Sequence, residues 1–480
     1  MLKPQRQREH SGSVKQWQIL RLSSFHPTLD LSPLPSMNDA DPYNWPPWEK
    51  TIHLAFVAFH AMMATFTAAA IQSPSVEIAE DRKISVHRAS YLTSLVIAVI
   101  GGAPLFWRPC ADRYGRRPVL LLSLLTSLVG NICCAKSPSY ATMGLCRAIT
   151  GFFICPAAAI GSGIVREMFF KRDCARYMGV WTLMVTLGVP SAPFIFGFVV
   201  TRVGYRWIYW TLAMVNAIQV ILDFFVSAET LYVAADQEHR QTPSPSHRRL
   251  LALKRLDPRP LSLAVFLYPL SLAVRPCVLL PSIAYAMVFL FAGILISIEI
   301  PQIFPKRFSL DAEQIGLQNL ATIIGSGLGE VIGGRASDQW MWYREKTVST
   351  EGRNGKAPSP EYRLWLSYAG ITLAITRVVV FLVQTENASA RWNISLLIKA
   401  AVAAAGNQIV TTVNITYTIE CYPTDAAAVG VFVNFVTQTW GFIGPFWFPE
   451  LLEKVGLSAS SGIIIALLVG VSVARTICVQ

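Results

Sequence analysis

Residues 91–118 read YLTSLVIAVIGGAPLFWRPCADRYGRRP. An uncharged, mostly apolar run, 91–107, stops at a turn carrying Arg108, Asp112, Arg113, Arg116 and Arg117. A helix crossing a bilayer needs about 20 mostly apolar residues. The run therefore reads as a membrane span, and the charged turn as its anchor at the surface. Working outward, the same alternation gives twelve spans: 51–72, 91–107, 118–136, 140–164, 178–200, 206–227, 280–303, 314–334, 364–384, 394–418, 427–449 and 459–477. The fold class expected is an all-α membrane protein of 12 transmembrane helices in two pseudo-symmetric six-helix halves.

Composition narrows the function. Hydrophobic residues make up 53% and charged residues 15%, where a soluble domain is nearer a quarter charged. The net charge of +12 is spread over short loops between apolar runs. It reads as topogenic charge, with the lipid bilayer as partner and no nucleic acid. Nine cysteines are scattered without a CxxC, and no His pair has metal-ligand spacing, so no disulfide framework, metal or cofactor is expected. No Ser/His/Asp set, iron-type His pattern or Walker loop is found, so the chain is not read as an enzyme.

The organisation expected is a tail 1–50, a first half 51–227, a central loop 228–279 and a second half 280–480. The tail lacks the pattern of a cleaved signal peptide, so the first span should direct insertion. The segment 260–274 is apolar but short, contains Pro260 and Pro269, and is bracketed by Arg259 and Arg275. It reads as a stretch along the interface. Counting Lys and Arg along this topology puts 27 of the 41 on the side of the tail and 10 on the other. That asymmetry makes both termini cytoplasmic. Asn387 then falls in an outer loop as a glycosylation acceptor. Asn393 lies too close to the membrane, and Asn414 lies inside a span.

The two halves rhyme. Asp112-Arg113-Tyr114-Gly115-Arg116-Arg117 follows span 2, and Gly334-Arg335-Ala336-Ser337-Asp338 follows span 8. Six-plus-six spans with corresponding loop motifs indicate a duplicated transporter with its binding site at the midplane. Charged residues inside spans are functional candidates. Arg147 lies in span 4, and its alternative is a buried structural pair. Glu299 and Glu330 lie in spans 7 and 8, where burial and a nearby arginine could balance to move a proton. In span 10, Asn407, Thr411 and Asn414, spaced four then three, share a face with Tyr417 nearby. They read as a substrate wall or as interhelical hydrogen-bonding groups. Gly325, Gly329 and Gly333 form a small-residue packing stripe.

The turn after span 2 resembles the signature loop of the major facilitator superfamily. Further segments are similar to its fungal drug:proton antiporters: Asn44-Trp45-Pro46-Pro47-Trp48, Gly102-Ala103-Pro104-Leu105-Phe106-Trp107, Cys146-Arg147-Ala148, Tyr177-Met178-Gly179-Val180-Trp181-Thr182, Glu229-Thr230-Leu231-Tyr232, Glu299-Ile300-Pro301-Gln302 and Thr439-Trp440-Gly441-Phe442. The resemblance implies a gating role for Asp112, Arg113, Gly115, Arg116, Arg117 and the second-half Asp338, with Glu167 and Arg176 as partners. It also implies that Arg147 faces the central cavity and assists proton coupling. Gly188, Pro190, Pro193 and Gly197 match a motif that bends span 5 and seals the halves, although Ala192 and Phe196 replace two of its glycines. Arg108 stands where the loop usually has a small residue, and Cys174-Ala175 where Arg-Gly is common. Both departures bear on the conformational balance.

The expected function is proton-coupled efflux of small organic compounds, drugs or fungal secondary metabolites, by alternating access. The partners are protons and a small-molecule substrate, and the chain is expected to act as a monomer in the cell membrane, with the vacuolar membrane as the other location. An importer or facilitator of a small nutrient or polyamine, and a non-transporting membrane sensor, remain as alternatives.

Overall fold

The computed structural model describes residues 41–231, 262–350, 360–387, 395–422 and 425–479. Most of the tail 1–50 and of the central loop 228–279, with Asn393, lies outside them. All regular structure among the described residues is helical. Twelve helices occupy the expected spans: α1 Pro47–Ala69, α2 Val86–Tyr114, α3 Arg116–Ala135, α4 Tyr140–Ile154 continued by Pro156–Met168, α5 Lys171–Val203, α6 Arg206–Val226, α7 Pro276–Val288 continued through Phe289–Leu295 to Ile296–Phe308, α8 Ala312–Thr350, α9 Leu364–Asn387, α10 Ser395–Cys421, α11 Ala426–Val455 and α12 Leu457–Val479. Among the described residues, ten of these are long and apolar enough to cross a bilayer. The other two, α10 and α12, coincide with spans 10 and 12.

The helices run past the expected spans wherever no breaker intervenes. The charged stretch after span 2 is helical on both sides of Gly115, the single residue between α2 and α3. Gly115 has φ 97°, a conformation that a Cβ resists. α8 continues through Arg335–Thr350 because no Gly or Pro interrupts the chain there. It starts at Ala312 because Asp311 and Gln314 cap each other: the Gln314 N–H donates to Asp311 Oδ1 at 2.8 Å, and the Asp311 N–H to Gln314 Oε1 at 3.3 Å. α1 starts four residues before the expected span because Pro46 and Pro47 suit a helix start. The segment 260–274 forms a short helix, Leu263–Ser271, and a further turn, Leu272–Val274.

The face carrying the Asp112 turn is called here the basic face. On the opposite face, α5–α6 and α11–α12 turn at Gly204 (φ 85°) and Gly456 (φ 86°). The two glycines hold equivalent places in the two halves, and each follows a valine, so the duplication reaches the turn geometry.

The halves meet along two seams. In one, α5 crosses α8 at Gly197 and Gly316. A Cβ on Gly197 would lie 2.6 Å from the Ala312 carbonyl oxygen and 3.2 Å from Gly316 Cα. Arg202 pairs with Glu313 nearby at 3.2 Å. In the other seam, α2 meets α11. Pro104 lacks the N–H that would bond the Ile100 carbonyl, and Asn434 Nδ2 of α11 donates to that carbonyl instead at 3.2 Å. Tyr91 and Phe446 pack ring against ring at a tilt further toward the opposite face, with centroids 4.6 Å apart. Within the second half, the stripe Gly325, Gly329 and Gly333 lies against Ala401, Ala405 and Ile409 of α10, where small residues let backbones approach.

Gly316→Leu forces a branched side chain into the α5 backbone. The expected loss is about 1–3 kcal/mol, read as a lower melting temperature of the purified protein in detergent. An unchanged melting temperature would show that α5 and α8 do not meet at this point.

Candidate functional site

A cavity of about 1110 Å³ lies between the halves. Its wall reaches the last turns at the basic face, at Arg166, Arg176, Arg335, Asp338, Arg363 and Glu420. Toward the opposite face it goes no further than Gln72, Pro190, Phe304 and Gln318. Beyond these, the Gly197–Gly316 crossing, the Arg202–Glu313 pair and the bond from Ser73 Oγ to the Pro193 carbonyl (3.0 Å) close the path. The cavity is open to the basic face and shut at the other.

Prolines shape the wall. Pro190 and Pro193 cannot bond the carbonyls of Thr186 and Val189, and Pro301 cannot bond that of Ser297. All three of these residues line the cavity. Unsatisfied backbone at membrane depth is tolerated where it faces such a space. The π-helical stretch Phe289–Leu295 of α7 has the same setting, with Phe289, Gly293 and Ile294 in the wall. In the span-5 motif, Pro190 lines the cavity, Gly188 packs on Met62 and Thr65 of α1, and Gly197 packs on α8.

Glu330 is buried in the wall. Its Oε2 accepts from Gln408 Nε2 at 2.6 Å and from Thr412 Oγ1 at 2.8 Å, and Oε1 faces Gly179 of α5. The span-10 stripe divides. Asn407 and Thr411 line the cavity, but Asn414 and Tyr417 are buried away from it. The expected single face was built on a step of three from Thr411. The lining ridge instead advances in steps of four, through Asn407, Thr411, Ile415 and Ile419, and so winds around the helix. Asn414 turns back to donate to the Val410 carbonyl at 2.8 Å.

Arg147 and Glu299 differ from their expected setting. Arg147 is 2% exposed and is not among the lining residues. Its guanidinium donates to the carbonyls of Leu92 (3.3 Å), Thr67 (3.4 Å) and Ala68 (3.2 Å). Thr67 and Ala68 lie in the last turn of α1, where carbonyls lack helical partners and a cation is favoured. Arg147 therefore clamps the end of α1 from one layer behind the cavity. Glu299 is also buried, while its neighbours Ser297 and Ile300 line the wall.

At the basic face, Arg116 joins the Asp112 turn to α4. Its Nη2 lies 3.1 Å from Asp112 Oδ1 and 2.6 Å from Glu167 Oε1. Arg113 is half-buried in the last turn of α2. Arg117 donates to the Phe224 carbonyl at the end of α6, at 2.7 Å. Arg176 does not join this cluster. α5 already begins at Lys171, so Arg176 stands more than a turn into the helix, over the ring of Tyr177 at 5.9 Å and in the cavity wall. Arg108 lies 3.9 Å from Asp112 and within electrostatic reach of Asp425, at the head of α11 in the other half. A polar hollow of about 300 Å³ lies there, lined by Arg108, Asp112, Arg116, Arg166, Glu167 and Ala427.

Two further residues complete the picture. Arg363 is the second-half counterpart of Arg116. It forms two bonds to Glu420, at 2.8 and 3.1 Å, and lies 3.2 Å from Asp338. Each half thus joins an Asp in its second helix, an Arg at the start of its third and a Glu at the end of its fourth. Glu229 caps α3, accepting from the N–H groups of Arg116 (2.9 Å) and Arg117 (3.1 Å). The sequence signal for Glu229 was its place in a motif segment, and that for Arg363 its place in the repeat.

Comparison with known proteins places this geometry. The model of the Major Facilitator Superfamily matches residues 54–445. The transporter mfc1 of Schizosaccharomyces pombe is 22% identical over 93% of this chain and 92% of its own length. The efflux pump radE of Floropilus chiversii is 24% identical over 87% of this chain and 77% of its own. The multidrug transporter FLU1 of Candida albicans is 23% identical over 88% of this chain and 69% of its own.

Arg363→Ala removes the centre of the second triad. We expect a loss of about 1–2 kcal/mol, since Asp338 is exposed and Glu420 partly so. Arg363→Lys should restore only part of it, because an ammonium cannot match the two-pronged bond to Glu420. Thermal unfolding of the three proteins reads this directly, and full restoration by lysine would contradict the geometry.

Proposed function

The chain belongs to the major facilitator superfamily, and on that premise we propose that it exports small organic compounds in exchange for protons. It is a multi-pass membrane protein and a secondary transporter. The lysine and arginine bias supports a cytoplasmic basic face with both termini inside. The cavity open at that face is the observation that carries the reading, because an exporter must load from the cytoplasm. The names of the pump radE and the multidrug transporter FLU1 support the outward direction.

The proposed cycle uses residues already described. A substrate enters the open cavity while Glu330 is ionised and held by Gln408 and Thr412. The halves, 51–227 and 280–480 joined by 228–279, rock about the two seams until the basic face closes and the opposite face opens. A proton from outside neutralises Glu330 and loosens its hold on α10, which favours release of substrate and return. The clusters on Arg116 and Arg363 keep each half rigid during the rocking, with Arg108 and Asp425 drawing the halves together at the basic face. One chain encloses the whole cavity, so a monomer suffices. The plasma membrane is the proposed location, and Asn387, exposed at the end of α9, would then face outside as a glycosylation acceptor.

Efflux from a pump-deficient yeast strain expressing the chain tests this. A panel of hydrophobic drugs and fungal metabolites is loaded with and without a protonophore. Protonophore-sensitive loss of at least one compound is expected, reduced to background by Glu330→Gln at equal surface expression. Efflux that persists in Glu330→Gln would remove Glu330 from the coupling. Uptake in place of loss would reverse the proposed direction.

A further inference from the structure

A charge inside a membrane span is expensive unless something answers it. The chain answers Arg147 with the carbonyls at the end of α1. Arg377, in the middle of α9, is treated differently. It is 7% exposed, and its Nε is buried without a hydrogen-bond partner. No hydrogen bond or ion pair joins its guanidinium to any other described residue.

Arg377 nonetheless has access to a ligand, because it lines the cavity. Phe381, one turn further along the same face of α9, also lines it. So does Phe304 of α7, whose ring stacks with that of Phe381 at 6.0 Å. Asn407 adds a polar side chain from α10. The carboxylate described in the same wall, Glu330, is already held by Gln408 and Thr412. The wall therefore presents a cation that no described residue answers, together with an aromatic pair.

We propose that Arg377 is the anion-recognition group of the cavity, and that the transported compound is an organic acid with a carboxylate on an apolar or aromatic body. The guanidinium fork takes both carboxylate oxygens, and the body lies against Phe304 and Phe381. The proposal rests on the transport reading above and names its substrate class. A neutral compound of the same shape would leave the buried guanidinium unmet, so discrimination between acid and ester should be large.

The test is equilibrium binding to the full chain in lipid nanodiscs, which depends on neither transport direction nor proton coupling. The probes are 1-naphthaleneacetate and its methyl ester. The wild type is expected to bind the acid about tenfold or more tighter than the ester, as fits a charged hydrogen bond. Arg377→Gln should erase that preference by weakening the acid alone, and Arg377→Lys should keep part of it. The melting temperature of Arg377→Gln should not fall, since glutamine removes a buried charge that no described residue answers.

Equal binding of acid and ester by the wild type, no binding of the acid, or a preference that survives Arg377→Gln would each overturn the proposal. Loss of both ligands with a lowered melting temperature in Arg377→Gln would assign the residue to structure and also overturn it. Chloride is titrated into gluconate buffer as a control. Displacement of the acid by chloride at cytosolic concentration would give the guanidinium to an inorganic anion, again overturning the proposal. Efflux without acid preference would sink only this inference. Acid preference without efflux would sink only the export reading.

Discussion

Two backbones meet at Gly197 and Gly316 with no side chain between them, and much else follows from that contact. It brings α5 onto α8 near the opposite face and shuts the cavity there. From there α5 and α8 run on side by side, and Glu330 of α8 still faces Gly179 of α5 in the cavity wall. The mouth is at the basic face, where Arg166, Arg176, Arg335 and Arg363 line it. The second seam, α2 on α11, holds differently: a proline frees a carbonyl and an asparagine from the other half takes it. Hydrogen bonds between two half-molecules can exchange partners at little expense, whereas glycine backbones in contact can only slide or separate. The two seams thus combine a pivot with a fastening that can be remade.

Five of the buried charges among the described residues fall into two kinds. Arg116, Arg147 and Arg363 are answered by carboxylates or by helix-end carbonyls, and each ties one helix to its neighbours. Glu330 and Arg377 stand in the cavity wall, the first held through one oxygen and the second unanswered by any described residue. Low dielectric raises the stakes for both kinds. The first kind gives rigid halves. The second gives a site whose state depends on what occupies it.

Much of the fold was legible in the sequence because its signals are local. Apolar runs set the spans, and the paired Asp112 and Asp338 revealed the duplication. What escaped was set by angle or by distance along the chain. Asn414 was placed on the cavity side by a step of three, but the wall follows steps of four. Arg147 was expected in the cavity, yet the end of α1 supplies carbonyls that hold it one layer back. Arg176 was read as a loop residue because the start of α5 was set too late. Arg363 was counted only as a topogenic charge, since nothing local ties it to Glu420, 57 positions later. Arg377 stands inside a span as Arg147 does, but only packing distinguishes an arginine that described residues answer from one that they do not.

The length of α8 has a mechanical consequence. Its 39 residues make a rod of roughly 58 Å, about twice the thickness of the hydrocarbon layer. The rod meets α5 at the glycine crossing near one end, lies on Ala401, Ala405 and Ile409 of α10 along its middle, and extends past the cavity mouth at the other. Joined at the glycine stripe, α8 and α10 form one body with the rod as its spine, so a tilt of that body is carried to the far end of the shaft. Trp340, whose indole N–H bonds the Tyr362 carbonyl at 3.0 Å, couples that end to the approach to α9. Motion of the shaft is therefore delivered to a neighbouring helix, outside the bilayer, where water rather than lipid sets the friction.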